Sequence, residues 1–387
     1  MTKHMIIGID ASRANTLHRT GVEEYVFQLI QEIKNIHTKA SVFPETQDIT
    51  FVLYTREPLI AELAAFLPEH VTNKVLRWPP RRLWTQVRLS WEMLTHPPDI
   101  LFVPGHVVPI IHPKKTVMTV HDVAAIAFPE SYNWFERWYS LWSAKYAVRK
   151  LWKVIVPSEY TKQEFQRLVK NEQRVASIHV VPLAYDKTYK EISDEQKIAD
   201  VLNTYHIQKP FLLSVGRLEL KKNSVRIIQA FELLKKRQSG NLANSQLVLV
   251  GGKGYGYEDV EKAIQKSPYK NDIILPGYVS DEHLPYIMNA AEVFVFPSLY
   301  EGFGIPILEA FACGTPVVTS NTTSCAEVAG DAAVLVDPLD VERIASGIVD
   351  AMKGEKISLA LERVQDISWE HVGQHIVQIC FDDSHQR

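Results

Sequence analysis

Two glutamates stand eight residues apart in LYEGFGIPILEAFACGTPVV, at 299 to 318: Glu301 in a glycine-flanked turn and Glu309 beyond a proline. Paired carboxylates serve general acid/base chemistry, as in glycoside hydrolysis, or they accept hydrogen bonds from hydroxyls. A second candidate is SVGRLELKKN, at 214 to 223, where Arg217 and Lys222 follow Gly216. Two cations in a loop that opens a helix suit a diphosphate, because the free N–H groups of a helix N-terminus already favour an anion. A solvated basic loop is the plain alternative. In TVHDVAAIAFPE, at 119 to 130, His121 and Asp122 follow an apolar run, a place for a structural imidazole or for one that meets a ligand. LVGGKGYGYED, at 249 to 259, is glycine-rich without the spacing of a Walker loop or a dinucleotide fingerprint, and reads as a flexible loop.

The elements that carry these residues follow from the apolar pattern. MIIGID predicts a short buried strand, ASRANTLHR a loop, and VEEYVFQLIQEI a helix, with Thr20 and Glu23 as a capping box and Gly21 able to bring backbone amides close to a ligand. ITFVLYT, VLRW, ILFVPG, TVMTVHD, WKVIVPS and SIHVVP are strand-like, with helical patterns between several of them, which predicts a parallel sheet covered by helices. At IQKPFLLSVGRL the pattern restarts, and PFLLSVG, SQLVLVGG, DIILPG, EVFVFPS, TPVVTS and AAVLVDP repeat the scheme. Pro306 suits a helix's first turn and Gly314 its C-terminal end, which puts Glu309 on a short helix between them. The expectation is an α/β protein of two doubly wound Rossmann-like domains facing a central cleft, since such sheets bind ligands at the carboxyl ends of their strands. The boundaries expected are 1–206 and 207–368, with a final helix in 369–387 crossing back to the first domain.

Composition narrows the class. The chain has 387 residues, 46% hydrophobic and 22% charged, with a net charge of -3 that gives no bulk attraction to nucleic acid. Cys313, Cys325 and Cys380 form no C-x-x-C pair, so neither a zinc site nor a disulfide framework is indicated and a reducing cytoplasm is expected. The apolar run at the N-terminus stops at Asp10, too soon for a signal segment, and no stretch reaches the roughly 20 apolar residues that span a bilayer. PPRRLWTQVRLSWEML, at 79 to 94, sets Arg81, Arg82 and Arg88 beside Trp84 and Trp91. Such a helix meets an anionic bilayer carrying a lipid-linked acceptor, or it turns its tryptophans inward and leaves its arginines in water. YNWFERWYSLWSAKY, at 132 to 146, reads as core and interdomain packing rather than a sugar platform.

With these segments together, LYEGFGIPILEAFACGTPVV resembles the E-x-x-x-x-x-x-x-E signature of the retaining glycosyltransferases of family 4, which have the two-domain GT-B fold. SVGRLELKKN resembles the family's diphosphate-binding segment, TSNTTSCAEVAGDAAVLVDP its next strand-helix-strand, and ISWEHVGQHI its terminal crossing helix. RTGVEEY and VHDVAAIAFPE look most like the bacterial mannosyltransferases of polysaccharide assembly. The resemblance implies that Gly216, Arg217 and Lys222 hold a nucleotide sugar's diphosphate. Glu301, with the amides of Gly302, Phe303, Gly304 and Ile305, would bind the donor sugar, and Glu309 the ribose. His121 would lie beside the reacting sugar, Gly21 would line the phosphate side, and Gly277, Tyr278 and Val279 would border the base. It implies a metal-independent hexosyltransferase without a cofactor, in which the leaving phosphate helps deprotonate the acceptor on the same face. GDP-mannose is the donor expected first and a glycan or lipid-linked molecule the acceptor; a UDP-sugar transferase and a non-catalytic sugar-nucleotide-binding subunit stay open. Many relatives place two glycines near position 21, where this chain has Arg19 and Thr20 before a single Gly21.

Overall fold

The computed structural model describes residues 4–17, 19, 21–35, 49–79, 83–105, 107–129, 134–168, 176–237 and 240–382. By internal contacts the chain forms two units, one of Met1–Ile126, Trp134–Leu183 and Ser368–Arg387, the other of Ala127–Asn133 and Ala184–Ile367.

The first unit is built on seven parallel strands: β1 (Met5–Asp10), β2 (Ile49–Thr55), β3 (Val71–Val75), β4 (Ile100–Val103), β5 (Thr116–Thr119), β6 (Lys153–Val156) and β7 (Ser177–Val180). Their order is β3-β2-β1-β4-β5-β6-β7. Every residue of β4, β5 and β6 is buried, as expected where helices cover both faces of a parallel sheet. Ile9 lies opposite Leu53 on one side and Phe102 on the other, so the chain grows outward to β3 and then returns to the far side of β1. That reversal between β1 and β4 opens a crevice at the strands' carboxyl ends.

The helix Trp369–Phe381 belongs to this unit and packs on the helix Gly21–Asn35. Gly373 permits the close approach: a Cβ there would stand 3.0 Å from Glu32 Cβ. At the other end of the terminal helix, the fully buried Lys153 donates from Nζ to the carbonyl of Ile379 at 2.7 Å and to that of Asp382. A cation there satisfies open carbonyls and complements the helix dipole.

In the second unit six parallel strands, β8 (Phe211–Val215), β9 (Gln246–Val250), β10 (Ile273–Gly277), β11 (Val293–Phe296), β12 (Val317–Ser320) and β13 (Val334–Val336), lie in the order β10-β9-β8-β11-β12-β13. The reversal here falls between β8 and β11, with Leu213 opposite Val248 on one side and Phe294 on the other. Helices Ser224–Lys236 and Val341–Ala351 cover one face through Ile227, Phe231, Leu234, Ile344 and Ile348. Each such burial contributes about 1.5–3 kcal/mol. The helix Glu195–Thr204 packs on Leu284–Ala290 of this unit, so the chain leaves the first unit after Leu183, ahead of the pattern restart at 206 to 210. Strand patterning marks where a sheet begins again, whereas the docking of a connecting helix depends on which surface it meets.

Candidate active site

In the second unit the residues singled out for chemistry gather at the carboxyl ends of β8, β10 and β11. After β8 the backbone turns at Gly216, whose φ of +146 favours glycine, and a single turn of 3-10 helix, Leu220–Lys222, leads to Asn223 and the helix Ser224–Lys236. The Lys222 stem passes over Gly216, where a Cβ would meet Lys222 Cε at 3.4 Å. Its Nζ reaches Glu301 Oε1 at 2.5 Å and lies 5.0 Å from the centroid of the Phe296 ring. Ser298 Oγ donates to the same carboxylate oxygen at 2.7 Å. The two charged side chains are only 19% and 12% exposed. Lys222 follows β8 and Glu301 follows β11, so the pair closes across the point where the strand order reverses.

The glutamate turn is fixed from below. Ser324 Oγ lies 2.9 Å from the carbonyl oxygens of both Glu301 and Phe303. Gly304 takes φ +110, and the helix Ile305–Ala312 starts there with Pro306 in its first turn. Gly302 and Phe303 are buried in this turn. Glu309 sits half-buried on the helix, and Gly314, at φ +69, follows its end. Burial first, and then the Glu301 charge, push the Cys325 thiol up to about 12. Burial and then Glu309 likewise push up the Tyr189 hydroxyl and the Cys313 thiol. Arg217 and Tyr278 are exposed, Val279 is buried, and Gly277, at φ +77, has open space where a Cβ would be.

Three groups that sequence reasoning passed over hold this arrangement. Asn223 is buried in the left-handed region at φ 64, and its Nδ2 donates to the carbonyls of Pro297 at 2.9 Å and Pro338 at 2.7 Å, joining the β8 loop to those after β11 and β13. Ser298 and Ser324 brace Glu301. The available signal was slight: an asparagine just before a helix, a residue type that tolerates left-handed backbone. The glycine-rich stretch after β9, expected to be a flexible loop, is instead tied to the Lys222 loop. Leu218 N donates to Gly252 O at 2.8 Å, Gly254 N to Leu218 O at 3.0 Å and Leu220 N to Tyr255 O at 3.0 Å. At Gly251 a Cβ would fall 2.1 Å from Gly216 O, so glycine is there for a backbone crossing.

The first unit holds His121 and Gly21. His121 is buried after β5; its Nε2 donates to the carbonyl of Pro104 at 2.9 Å, and its ring meets the edge of Tyr25 at 4.7 Å between centroids. Tyr25 in turn touches Trp369 of the terminal helix, and its hydroxyl lies 3.0 Å from Thr119 Oγ1. Gly21 is exposed, and a Cβ there would have nothing within 4 Å, so no clash requires glycine. Thr20 lies outside the described residues. A pocket of about 420 Å³ opens at the β1/β4 reversal, lined by Asp10, Ser12, Arg13, Gln86, Pro104 and Tyr139 among others. Burial raises the Asp10 carboxyl above its ordinary range, opposed by hydrogen bonds that Ser12 donates from Oγ at 2.6 Å and from its backbone N at 3.1 Å. Gln86 Nε2 donates to Tyr139 Oη and to Val108 O, both at 3.1 Å, while its Oε1 is buried with no hydrogen-bond partner among the described residues.

The aromatic segments differ from expectation. Within 79 to 94, Pro80, Arg81 and Arg82 lie outside the described residues; Trp84 is buried and donates from Nε1 to Leu76 O at 2.7 Å, but Trp91 is exposed. Trp134, Trp138 and Trp142, expected in the core, are exposed on the helix Trp134–Lys150. That helix buries Ser143, Ala144, Ala147 and Val148 instead. Among the described residues no three His, Cys, Asp or Glu side chains are grouped to hold a metal ion.

Residues 165–364 match the family described as glycosyl transferases group 1, and residues 19–189 match glycosyltransferase family 4. O-antigen chain mannosyltransferase B of Escherichia coli is 27% identical over 383 residues, which is 95% of this chain and 94% of that protein. Mannosylfructose-phosphate synthase of Agrobacterium fabrum is 29% identical over 197 residues, 48% of this chain and 42% of its own length. Among solved structures, sucrose-phosphate synthase from Thermosynechococcus elongatus superimposes with a TM-score of 0.72 at 20% identity, over 97% of this chain and 98% of that one. Anabaena Alr3699/HepE in complex with UDP and glucose gives 0.68 at 18% identity, over 97% and 99%. With two parallel-sheet units and these structural neighbours, the chain belongs to the glycosyl transferases group 1 as a glycosyltransferase of the GT-B type.

Proposed function

We propose that this glycosyltransferase moves mannose from GDP-mannose to a glycan or lipid-linked acceptor, with retention at the anomeric carbon, in the cytoplasmic assembly of a cell-envelope polysaccharide. The observation that carries the reading is the Lys222–Glu301 pair across the β8/β11 reversal, a cation and a carboxylate on stiff loops where a doubly wound sheet binds its ligand. Arg217 and Lys222 take the donor's diphosphate and neutralise the charge that grows there as the C1–O bond breaks. When the diphosphate arrives Lys222 serves two anions, and Glu301, still held by Ser298, turns its free lone pairs to the sugar hydroxyls. Glu309 takes the ribose hydroxyls and Gly277 to Val279 border the base, while the donor roles of Gly21 and His121 rest on the family resemblance alone. The acceptor oxygen bonds to C1 on the face the diphosphate vacates, and its proton goes to a diphosphate oxygen. With cations in place that chemistry needs neither an enzymatic nucleophile nor a metal ion.

The pocket at the β1/β4 reversal receives the acceptor. Asp10, Arg13 and Gln86 are planar polar groups suited to a sugar's hydroxyls, and a hydroxyl donor would satisfy Gln86 Oε1. Mannose as the sugar is supported by the mannosyltransferase named above, and the cytoplasm by three free, buried cysteines. Thermal unfolding with GDP, UDP and ADP tests the donor: at about 100 times Kd a native-state ligand adds about 2.7 kcal/mol of stability. GDP alone should raise the melting temperature, and product NMR with EDTA present should show the α anomer from the α donor. Stabilisation by UDP alone would make the chain a UDP-sugar transferase; binding without turnover would make it a sugar-nucleotide-binding subunit.

A further inference from the structure

Aromatic rings are what folding usually takes out of water, and a contiguous exposed apolar face marks a binding surface. On the helix Trp134–Lys150, Trp134 is 80%, Trp138 55% and Trp142 40% exposed. Their four-residue spacing sets them on one face. The rings of Trp138 and Trp142 stack at 6.5 Å and 16°, and Trp142 stacks on Tyr146 at 5.3 Å and 27°. Trp138 and Trp142 turn ring faces to each other, and Trp142 to Tyr146, so these faces are not open as a pyranose platform needs. A second stripe lies beside them: Gln86 bonds Tyr139 and Val108, and Ile111 N donates to Ser90 Oγ at 3.3 Å. It exposes Val87, Leu94 and Trp91, the last by 60%, with Ile110 continuing the apolar surface.

Charge selects the occupant. Residues 83–96, 107–115 and 134–150 carry seven Lys and Arg against two Glu, in a chain whose net charge is -3. Of those acids Glu92 is buried and paired with Arg88 and Lys74. Arg137, Lys145, Arg149 and Lys150 lie on the tryptophan helix itself, and Lys114 and Lys115 follow Ile110 and Ile111. No described helix is long and apolar enough to cross a membrane. Tryptophan edges beside Lys and Arg are the chemistry of the water–lipid boundary, where indole sits among headgroups and cations meet lipid phosphates.

We propose that this face of the first unit docks on an anionic lipid surface, with the tryptophans entering the headgroup layer and the basic residues beside it. The inference does not depend on the donor, because vesicle binding needs no turnover. The test is flotation of the full chain with vesicles of phosphatidylcholine alone and with phosphatidylglycerol added. Binding should need the anionic lipid, fall with salt and shift tryptophan emission to the blue. Trp134→Ala with Trp138→Ala, and separately Arg137→Glu with Lys145→Glu, should each weaken binding at least tenfold while circular dichroism melting stays put. Failure to float with anionic vesicles overturns the proposal, as does unchanged binding by both variants. Sedimentation showing a dimer that the tryptophan variant dissolves would assign the face to a second copy, and emission quenching by soluble oligosaccharide lost in that variant would assign it to a glycan.

Discussion

Lys222→Ala is expected to separate the chemistry of the site from its stability. The substitution removes a cation 2.5 Å from Glu301 and leaves a carboxylate 12% exposed, with Ser298 still donating to it. At an effective dielectric of about 20, charges about 4 Å apart attract by about 4 kcal/mol, most of it offset by the cost of drying both groups. The net loss should be about 1–3 kcal/mol, the cost of leaving a mostly buried acceptor poorly paired. In a unit of this size that is about 2–4 °C of melting temperature per kcal/mol. If Lys222 meets the developing diphosphate charge as proposed, a separate loss follows: one preorganised donor contributes about 10²–10³ in kcat. A chain with the usual stability of about 5–15 kcal/mol stays folded at 25 °C, so the turnover defect reports chemistry. Lys222→Ala combined with Glu301→Gln should regain much of the melting temperature, because the orphan charge is gone, and none of the turnover. Mannosyl transfer from GDP-mannose read by GDP release, with melting on the same samples, gives both quantities. Turnover near that of the unaltered enzyme in Lys222→Ala, or recovered turnover in the double variant, would refute the reasoning.

Glu309→Ala should weaken donor binding by about 10–100-fold, the worth of hydrogen bonds to a charged group, with a smaller change in kcat; calorimetric titration with GDP checks it, and unchanged affinity with collapsed turnover would reverse the role. Asn223→Ala leaves the carbonyls of Pro297 and Pro338 without their donor and puts alanine in left-handed backbone, for a loss of about 2–4 kcal/mol. Hydrogen exchange should quicken around 297 to 301 in that variant, and unaltered exchange and melting would refute the brace. Burial raises the thiols of Cys313, Cys325 and Cys380, the last two to about 12. The folded chain then holds those protons more tightly than the unfolded one, so stability falls as pH rises through the unfolded thiol value of about 8.5 toward 12. Native thiols should resist Ellman's reagent at pH 8, and guanidinium midpoints should drop between pH 7.5 and 9.5; rapid native labelling would overturn this.

The sheet pattern was legible because parallel strands covered on both faces are continuous apolar runs, and the runs restart at the second unit. The same pattern located candidate residues after those runs, and the structure brings two of them, Lys222 and Glu301, together. Legibility stopped where a role depends on a partner distant in the chain. Asn223 acts through carbonyls at 297 and 338, and Ser324 through those of Glu301 and Phe303, contacts that no local spacing encodes. The tryptophans of 134 to 146 show a different limit. Aromatic content shows how much apolar surface exists, but which face of a helix turns to water is decided by the small residues opposite, here Ser143, Ala144 and Ala147.

The glycines after β9 bear on the Lys222 loop. Their spacing fits no phosphate loop, and the structure gives them a different use, a close crossing of two backbones. Gly251 passes Gly216 so closely that no side chain fits between them, and the bonds from Leu218 and Leu220 to Gly252 and Tyr255 lock the two loops together. On its other side the Lys222 loop is held by Leu299 N, donating to Lys221 O at 2.7 Å, and by Asn223. A loop clamped on both flanks keeps a flexible lysine's stem in one course over Gly216. A charge held in advance loses little freedom when the transition state forms, which is the condition under which a single cation lowers a barrier. On the proposed role of Lys222, the glycine-rich stretch serves the diphosphate indirectly, by stiffening the loop that carries the lysine.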